Sequence, residues 1–160
     1  MSERTKLLAE QVKSFADEVI AFVEKMTDSD WTQTSEWEQW TAGVIAYHIG
    51  AGHLAIFGLA DQIVKGEQLP QLTMDQINTM SIQQAEENAQ CTKDEALKHL
   101  RGNRDRIVTY ITNLKDEDLD LKGTMPAFGG DVTTRQLFEY VIFESGNQHF
   151  DSMKKAVEKA

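Results

Sequence analysis

Apolar residues recur every three or four positions over long stretches of the chain, which is the spacing of one buried face of an α-helix. Equivalent patterns cover residues 3–26, 41–65 and 92–114, a last stretch that starts at residue 133, and a shorter piece at 74–90. In the first stretch the apolar stripe consists of Leu8, Val12, Phe15, Val19, Phe22 and Met26. The pattern therefore predicts four long helices, one short helical piece and no β-strand.

Capping residues support these boundaries. Thr92 is followed three positions later by Glu95, and Thr133 by Gln136. This spacing is typical of a capping box, in which the two side chains satisfy free N–H groups at a helix start. Long helices joined by moderate loops favour an all-α fold, which we predict to be an antiparallel four-helix bundle with one extra short helical segment. We expect a single domain over residues 1–160.

Charge and cysteine content narrow the classes of function. The 160 residues include 26 acidic and 16 basic side chains, and the formal net charge of −10 repels nucleic-acid phosphates and anionic lipid. No apolar run is expected to approach the roughly 20 residues needed to cross a bilayer. Cys91 is the only cysteine, so no intramolecular disulfide can form. We therefore expect a cytoplasmic protein that binds neither nucleic acid nor membrane.

The segment AYHIGAGHLAIF, residues 46–57, places two histidines inside the second long helix. At about 100° per residue, His48 lies near the middle of the apolar stripe, on the same side as Gly52 and Ala55. His53 is turned about 140° away from His48, so we expect it at the edge of the bundle or in a dimer contact. Two ligands of one metal on a straight helix need a spacing of three or four, which this pair does not have.

A second inward histidine is predicted on the last helix, where His149 shares one face with Ser145 and Gly146. Small residues beside both inward histidines leave room for water, an ion or a ligand. One interpretation is a polar site shared by His48 and His149, with Gly52, Ala55, Ser145 and Gly146 lining the pocket. The other is that each histidine is satisfied separately, as single core histidines commonly are. His99 lies off the apolar stripe of its helix, and we expect it to be exposed.

The segment WEQWTAGVIAYHIGAGHLAI, residues 37–56, resembles the motif W-t-x-x-(d/v)-(v/i)-x-x-H-(i/l) that opens the second helix of DinB/YfiT-like proteins. Residues 73–114 and TTRQLFEYVIFESGNQHFDSM, residues 133–153, follow in the expected order. The resemblance implies a bundle of up-down-down-up topology that is commonly a homodimer. It also implies relatives that include metal-dependent hydrolases and transferases or isomerases that use the thiols mycothiol, bacillithiol or glutathione.

The resemblance further implies a metal site of three histidines, one on the second helix and an H-x-x-x-H pair on the last. Carried over by position, the first is His48 and the final one is His149, but Ser145 occupies the middle position. A serine hydroxyl is neutral at pH 7 and is a poor ligand for zinc or nickel, which favour imidazole, thiolate or carboxylate. Glu144 is turned about 140° away from His149 and does not substitute. An acidic residue from another helix could complete the site, but the sequence identifies none.

The serine in place of the third histidine leaves two hypotheses about function. In the first, a degenerate two-histidine site binds a divalent metal such as nickel or zinc weakly or not at all, and the pocket takes a small molecule. In the second, the chain is a divalent-metal-dependent hydrolase or an S-transferase or isomerase that uses a low-molecular-weight thiol. Metal-free catalysis with His48 or His149 as the base is disfavoured, because nothing in the sequence recognisably orients such a base.

Overall fold

The computed structural model describes residues 2–158, most of which are helical. The long helices are α1 (Glu3–Glu24), α3 (Ala42–Val64) and α5 (Lys93–Thr112), and the shorter ones are α2 (Asp28–Trp31) and α4 (Met74–Glu87). The last helical segment consists of α6 (Thr134–Phe138), a π-helical turn (Glu139–Ser145) and α7 (Gly146–Glu158). The mostly helical fold expected from the periodicity is confirmed. The extreme ends of the predicted domain, residues 1 and 159–160, lie outside the described residues.

Side-chain caps start the helices where the sequence predicts them. The hydroxyl of Thr92 accepts a hydrogen bond from the N–H of Glu95 at 3.1 Å, and the N–H of Thr92 donates to the Glu95 carboxylate at 3.0 Å. Thr133 and Gln136 make the corresponding pair of bonds at the start of α6. Both capping boxes satisfy N–H groups that have no partner within the helix.

A two-stranded antiparallel hairpin lies between α5 and α6, so the prediction of no strand is wrong. Strand β1 (Lys122–Met125) pairs with β2 (Gly130–Thr133) along its whole length. A Cβ at Gly123 would lie 2.7 Å from Leu69 and 2.9 Å from Ile63, so the hairpin packs closely against the end of α3. Four-residue strands are too short to establish a period of two in the sequence, which is why the pattern missed them.

The long helices pack in a closed order: α1 contacts α5, α5 contacts α3, α3 contacts α7, and α1 contacts the π-helical turn. By length and composition alone α3 could cross a membrane, so the expectation that no apolar run approaches this length is wrong. Half of the most apolar 18-residue segment of α3 is buried inside the protein. Packing between α5 and α7 accounts for a helix that is apolar around most of its circumference.

Gly43 of α3 lies directly under the indole ring of Trp31. A Cβ at this position would be 2.3 Å from Cε2 of that ring, which is itself held by a 3.1 Å hydrogen bond from its Nε1 to the carbonyl of Cys91. We expect Gly43→Ala to lower the free energy of unfolding by about 1–3 kcal/mol, because the overpacked ring has to move. Urea denaturation monitored by tryptophan fluorescence measures this change.

Gly58→Ala is the matched control on the same helix, because among the described residues no heavy atom beyond the adjoining backbone of α3 lies within 4 Å of a Cβ added there. Removing this glycine is expected to leave the free energy of unfolding unchanged or to raise it by up to about 1 kcal/mol. Equal effects of the two substitutions would contradict the close contact between Gly43 and Trp31.

Candidate ligand site

His48 of α3 and His149 of α7 lie side by side, about a hundred positions apart in the chain. Their ring centroids are 4.7 Å apart and the ring planes are nearly perpendicular, at 83°. Both side chains are partly buried, and that of His149 is 22% exposed. The contact exists because α3 and α7 are neighbours in the bundle, so the two imidazoles can act on one ligand.

Trp40 covers both imidazoles. Its ring centroid lies 5.1 Å from that of His48 and 6.5 Å from that of His149, and its plane is within 22° of the His149 ring. The indole is itself packed against the apolar core. It therefore forms an apolar wall of the site next to two polar rings.

Glu38 is the acidic member of the site, and no pattern in the sequence identified it. Its Oε1 accepts a hydrogen bond from Nδ1 of His149, whereas its Oε2 is buried without a hydrogen-bond partner among the described residues. Glu38 lies in the loop between α2 and α3, where no helical period predicts the direction of a side chain. The only signal in the sequence was an acidic residue between Trp37 and Trp40, just before the histidine helix.

Gln84 of α4 binds the other imidazole, with 3.1 Å between its Oε1 and Nδ1 of His48. Since the oxygens of Gln84 and Glu38 accept hydrogen bonds, Nδ1 of each histidine is the donor. In the neutral form, each ring then keeps a lone pair on Nε2. The site therefore presents two imidazole acceptors whose tautomers are set by their neighbours.

The surroundings of His48 keep it neutral. Burial lowers its pKa, and the nearby His149 lowers it further, while the hydrogen bond to Gln84 and the charge of Glu38 act in the opposite direction. With a net lowering from the ordinary value of 6.5, His48 is uncharged at pH 7.

The four small residues predicted to line a pocket have different surroundings. Ala55 is exposed, so its predicted inward position is wrong. Gly146 is buried, but a Cβ there would come within 3.0 Å of Cζ of Phe15, so it makes room for α1. Gly52 is partly buried, and a Cβ there would touch one side chain at 3.9 Å. Ser145 is partly buried at the end of the π-helical turn.

The π-helical turn affects the geometry of the last helix. A π-turn is wider than an α-turn, so residues before it are rotated relative to the positions that a continuous α-helix would give them. His149 lies in the regular α7, whereas Ser145 is the last residue of the turn. The spacing from Ser145 to His149 therefore crosses the junction, which the periodicity did not reveal.

His53 lies in the core, so the prediction that it is at the bundle edge is wrong. It is 2% exposed, and neither ring nitrogen has a hydrogen-bond partner among the described residues. The ring packs against Phe15 in an edge-on arrangement at 6.2 Å. Burial lowers its pKa to about 4, with a smaller contribution in the same direction from His99. Because α3 is apolar almost all round, its periodicity did not identify the inward face.

His99 is only partly exposed, in contrast to the expectation of an exposed side chain. Its ring stacks on Tyr47 with centroids 4.2 Å apart and planes within 4°, and burial lowers its pKa. A Cβ at Gly50 would lie 2.8 Å from Cδ2 of His99. The glycine therefore allows α5 to pack closely on α3.

The donor set does not fit the three-histidine metal site that the resemblance implies. Within residues 2–158 no three His, Cys, Asp or Glu side chains form a group that could hold a metal ion. His48 and His149 are two donors, Ser145 contributes only a hydroxyl, and the nearby carboxylate of Glu38 is bonded to Nδ1 of His149.

Comparison with known proteins identifies the family. Among solved structures, YfiT from Bacillus subtilis, described as a probable metal-dependent hydrolase with an unusual four-helix bundle topology, has a similar fold. The TM-score is 0.78 at 14% sequence identity, and the match covers 99% of this chain and 89% of YfiT. No curated protein sequence matches the chain. The sequence model of the DinB superfamily matches residues 11–149, a range that includes both His48 and His149, and the chain therefore belongs to the DinB superfamily.

Proposed function

We propose that this protein binds a small molecule at a degenerate two-histidine site, with weak or no binding of a divalent metal. The observation that carries the proposal is the set of side chains that could bind a metal at this site. Two imidazoles, His48 and His149, each have Nδ1 bonded to an oxygen acceptor, and Ser145 occupies the family's third ligand position. Loss of one imidazole removes the chelation that holds zinc or nickel tightly, because structural and catalytic zinc sites use at least three protein ligands.

The free Nε2 atoms define the class of ligand. Each accepts a hydrogen bond, so the site favours a molecule with a hydroxyl, amine or thiol group, such as a low-molecular-weight thiol. The Glu38 carboxylate accepts the hydrogen bond from Nδ1 of His149 and so fixes the orientation of that ring. His48 stays neutral and orients the ligand, and Trp40 shields the two rings from water.

Elemental analysis of protein purified without a metal-affinity tag tests the metal component of this proposal. We expect clearly less than one equivalent of nickel or zinc, and no change in melting temperature when either ion is added. Near-stoichiometric metal that is lost in the His149→Ala variant would contradict the proposal.

An NMR screen with small alcohols, amines and thiols, including glutathione, tests the ligand component. We expect the resonances of His48, His149 and Trp40 to shift on binding, and His149→Ala to abolish those shifts. Binding that maps to another part of the surface and survives His149→Ala would contradict this site.

The second candidate is a divalent-metal-dependent hydrolase or thiol-dependent S-transferase or isomerase. Two observations favour it. YfiT, which has a similar fold, is described as a probable metal-dependent hydrolase. Metal-bound histidines in proteins also commonly donate their second ring N–H to a carboxylate or carbonyl oxygen, as His149 does to Glu38 and His48 to Gln84. Near-stoichiometric metal in the same elemental analysis would favour this candidate.

We also infer that the four long helices run in up-down-down-up order. Contacts between α3 and α5 advance in the same direction along both helices, as at Gly50 with His99 and Phe57 with Tyr110. Contacts of α3 with the last helix run in opposite directions, and so do those of α1 with α5. These directions support the topology that the family resemblance implies.

We further propose a cytoplasmic homodimer that binds neither nucleic acid nor membrane. The family resemblance supports the dimer, the net charge of −10 supports the exclusion of nucleic acid and anionic lipid, and the single cysteine supports a reducing compartment. Light scattering coupled to size-exclusion chromatography tests the dimer, which a monomeric mass would contradict.

A further inference from the structure

The loop over residues 34–41 carries both Glu38 and Trp40 into the site. Its two ends are joined, because residues 34 and 41 form an isolated antiparallel bridge. Inside the loop, the N–H of Ser35 donates to the carbonyl of Trp40 at 2.8 Å. The backbone between the two site residues adopts a left-handed conformation at Gln39, with φ of 61°. Such a conformation is uncommon outside glycine and persists where surrounding contacts hold it.

The hydroxyl of Ser35 is the centre of these contacts. It accepts hydrogen bonds from the backbone N–H groups of Trp37 at 3.2 Å and of Glu38 at 3.3 Å. Its oxygen also lies 2.5 Å from the hydroxyl oxygen of Ser152. With both lone pairs of Ser35 used as acceptors, its own hydrogen is the one donated to Ser152. Both serines are buried, at 3% and 5% exposure, so water does not compete for this bond.

Ser152 lies on α7, three positions after His149. The serine pair therefore links the loop that carries Glu38 to the helix that carries the histidine it binds. A second link between the loop and α7 is the Lys155 ammonium over the Trp37 ring, at 4.9 Å from its centroid. Trp37 is 76% exposed, so solvent weakens that contact.

We propose that Ser35 and Ser152 are positioning residues of the ligand site. Their buried hydrogen bond holds the loop in the conformation that directs Glu38 to Nδ1 of His149 and places Trp40 against both imidazoles. The importance of this positioning for ligand binding rests on the proposed function. The positioning itself is a property of the ligand-free protein and is tested without a ligand.

The test is the set of NOE cross-peaks between the ring of Trp40 and the rings of His48 and His149 in ligand-free protein. We expect Ser152→Ala and Ser35→Ala each to reduce these cross-peaks to less than half of their original intensity. The double variant is expected to lose no more than Ser35→Ala alone, because Ser35→Ala already removes the bond to Ser152 together with the bonds from the N–H groups of Trp37 and Glu38. Ser35→Thr keeps the hydroxyl and is expected to retain the cross-peaks.

Lys155→Ala is the matched control, because it removes a different contact between the loop and α7, that of Lys155 with the exposed Trp37 ring, and is expected to retain the cross-peaks. A purely structural role of the serines would lower the melting temperature and leave the NOE intensities intact below the transition. Retained intensities in both alanine variants would therefore overturn the proposal. Ser35→Ala removes the bond from the loop side, so the test does not depend on α7 tolerating a change at Ser152.

A failure of the proposed function gives a different result. If the alanine variants lose the Trp40 cross-peaks but bind the small alcohols, amines or thiols of the screen as tightly as the unchanged protein, the positioning role stands and the assignment of the ligand site fails. Loss of the cross-peaks together with at least a severalfold loss of affinity for those probes supports both.

Discussion

Ser145→His is expected to create a tight zinc- or nickel-binding site in this protein. The substitution adds an imidazole four positions before His149, next to the helix that carries His48. Three imidazoles are a complete set of protein ligands for zinc, and nickel also favours imidazole. The gain in affinity should exceed the roughly 10- to 100-fold that a hydrogen-bond partner of one metal ligand contributes, because the new imidazole binds the metal directly. Isothermal titration calorimetry with Zn²⁺ and Ni²⁺ measures this gain in affinity.

Two controls separate chelation from other effects of the substitution. Ser145→Ala is expected to bind metal no better than the original protein, and Ser145→His combined with His149→Ala should lose most of the gain. A Ser145→His variant without improved affinity would mean that the π-helical turn directs residue 145 away from His149. Because Ser145 is the last residue of the π-helical turn, the experiment directly tests the geometry at the junction with α7.

His53→Leu is expected to stabilise the protein and to reduce its sensitivity to acid. The folded pKa of His53 is about 4, against an ordinary value of 6.5, so between these values the unfolded chain binds a proton that the folded protein does not. The free energy of unfolding therefore falls as the pH decreases from 6.5 to about 4, and His53 contributes no pH dependence well above 6.5. The loss amounts to about 3 kcal/mol, at roughly 1.4 kcal/mol per pKa unit.

Leucine removes both this titration and two buried nitrogens that have no hydrogen-bond partner within residues 2–158. We therefore also expect a gain in the free energy of unfolding of about 1–3 kcal/mol at pH 7.5. Urea denaturation at a series of pH values from 7.5 to 4.5 measures both effects. His48 and His99, whose pKa values burial also lowers, should leave a residual acid dependence in the variant.

His53→Gln distinguishes charge from polarity in the same experiment. Glutamine stays polar but does not titrate. It should therefore reduce the acid dependence of the free energy of unfolding without giving the full increase in that energy at pH 7.5. If the free energy of unfolding depended on pH in the same way in the original protein and in His53→Leu, the assignment of a buried, neutral His53 would be contradicted.

The helices and their boundaries could be predicted because the information lies within each element. An apolar residue every three or four positions and a capping threonine such as Thr92 act over one or two helical turns. The same reasoning failed where local spacing is ambiguous. In α3, apolar residues around most of the circumference made His48 look central and His53 peripheral, whereas the tertiary structure buries His53 next to Phe15 of α1. The β-hairpin and the π-turn are too short to give a periodic signal.

By itself, the sequence determined the helical architecture. Its family motif also identified His48 and His149 as the candidate site residues. Only the tertiary structure decided which face of α3 is buried and which acidic residue joins the site. The bond between Glu38 and His149 spans 111 positions and starts from a loop without a period. Its formation depends on the backbone conformation at Gln39 and on the contact between Ser35 and Ser152. Such contacts arise from packing between distant segments, and no local pattern of residues encodes them.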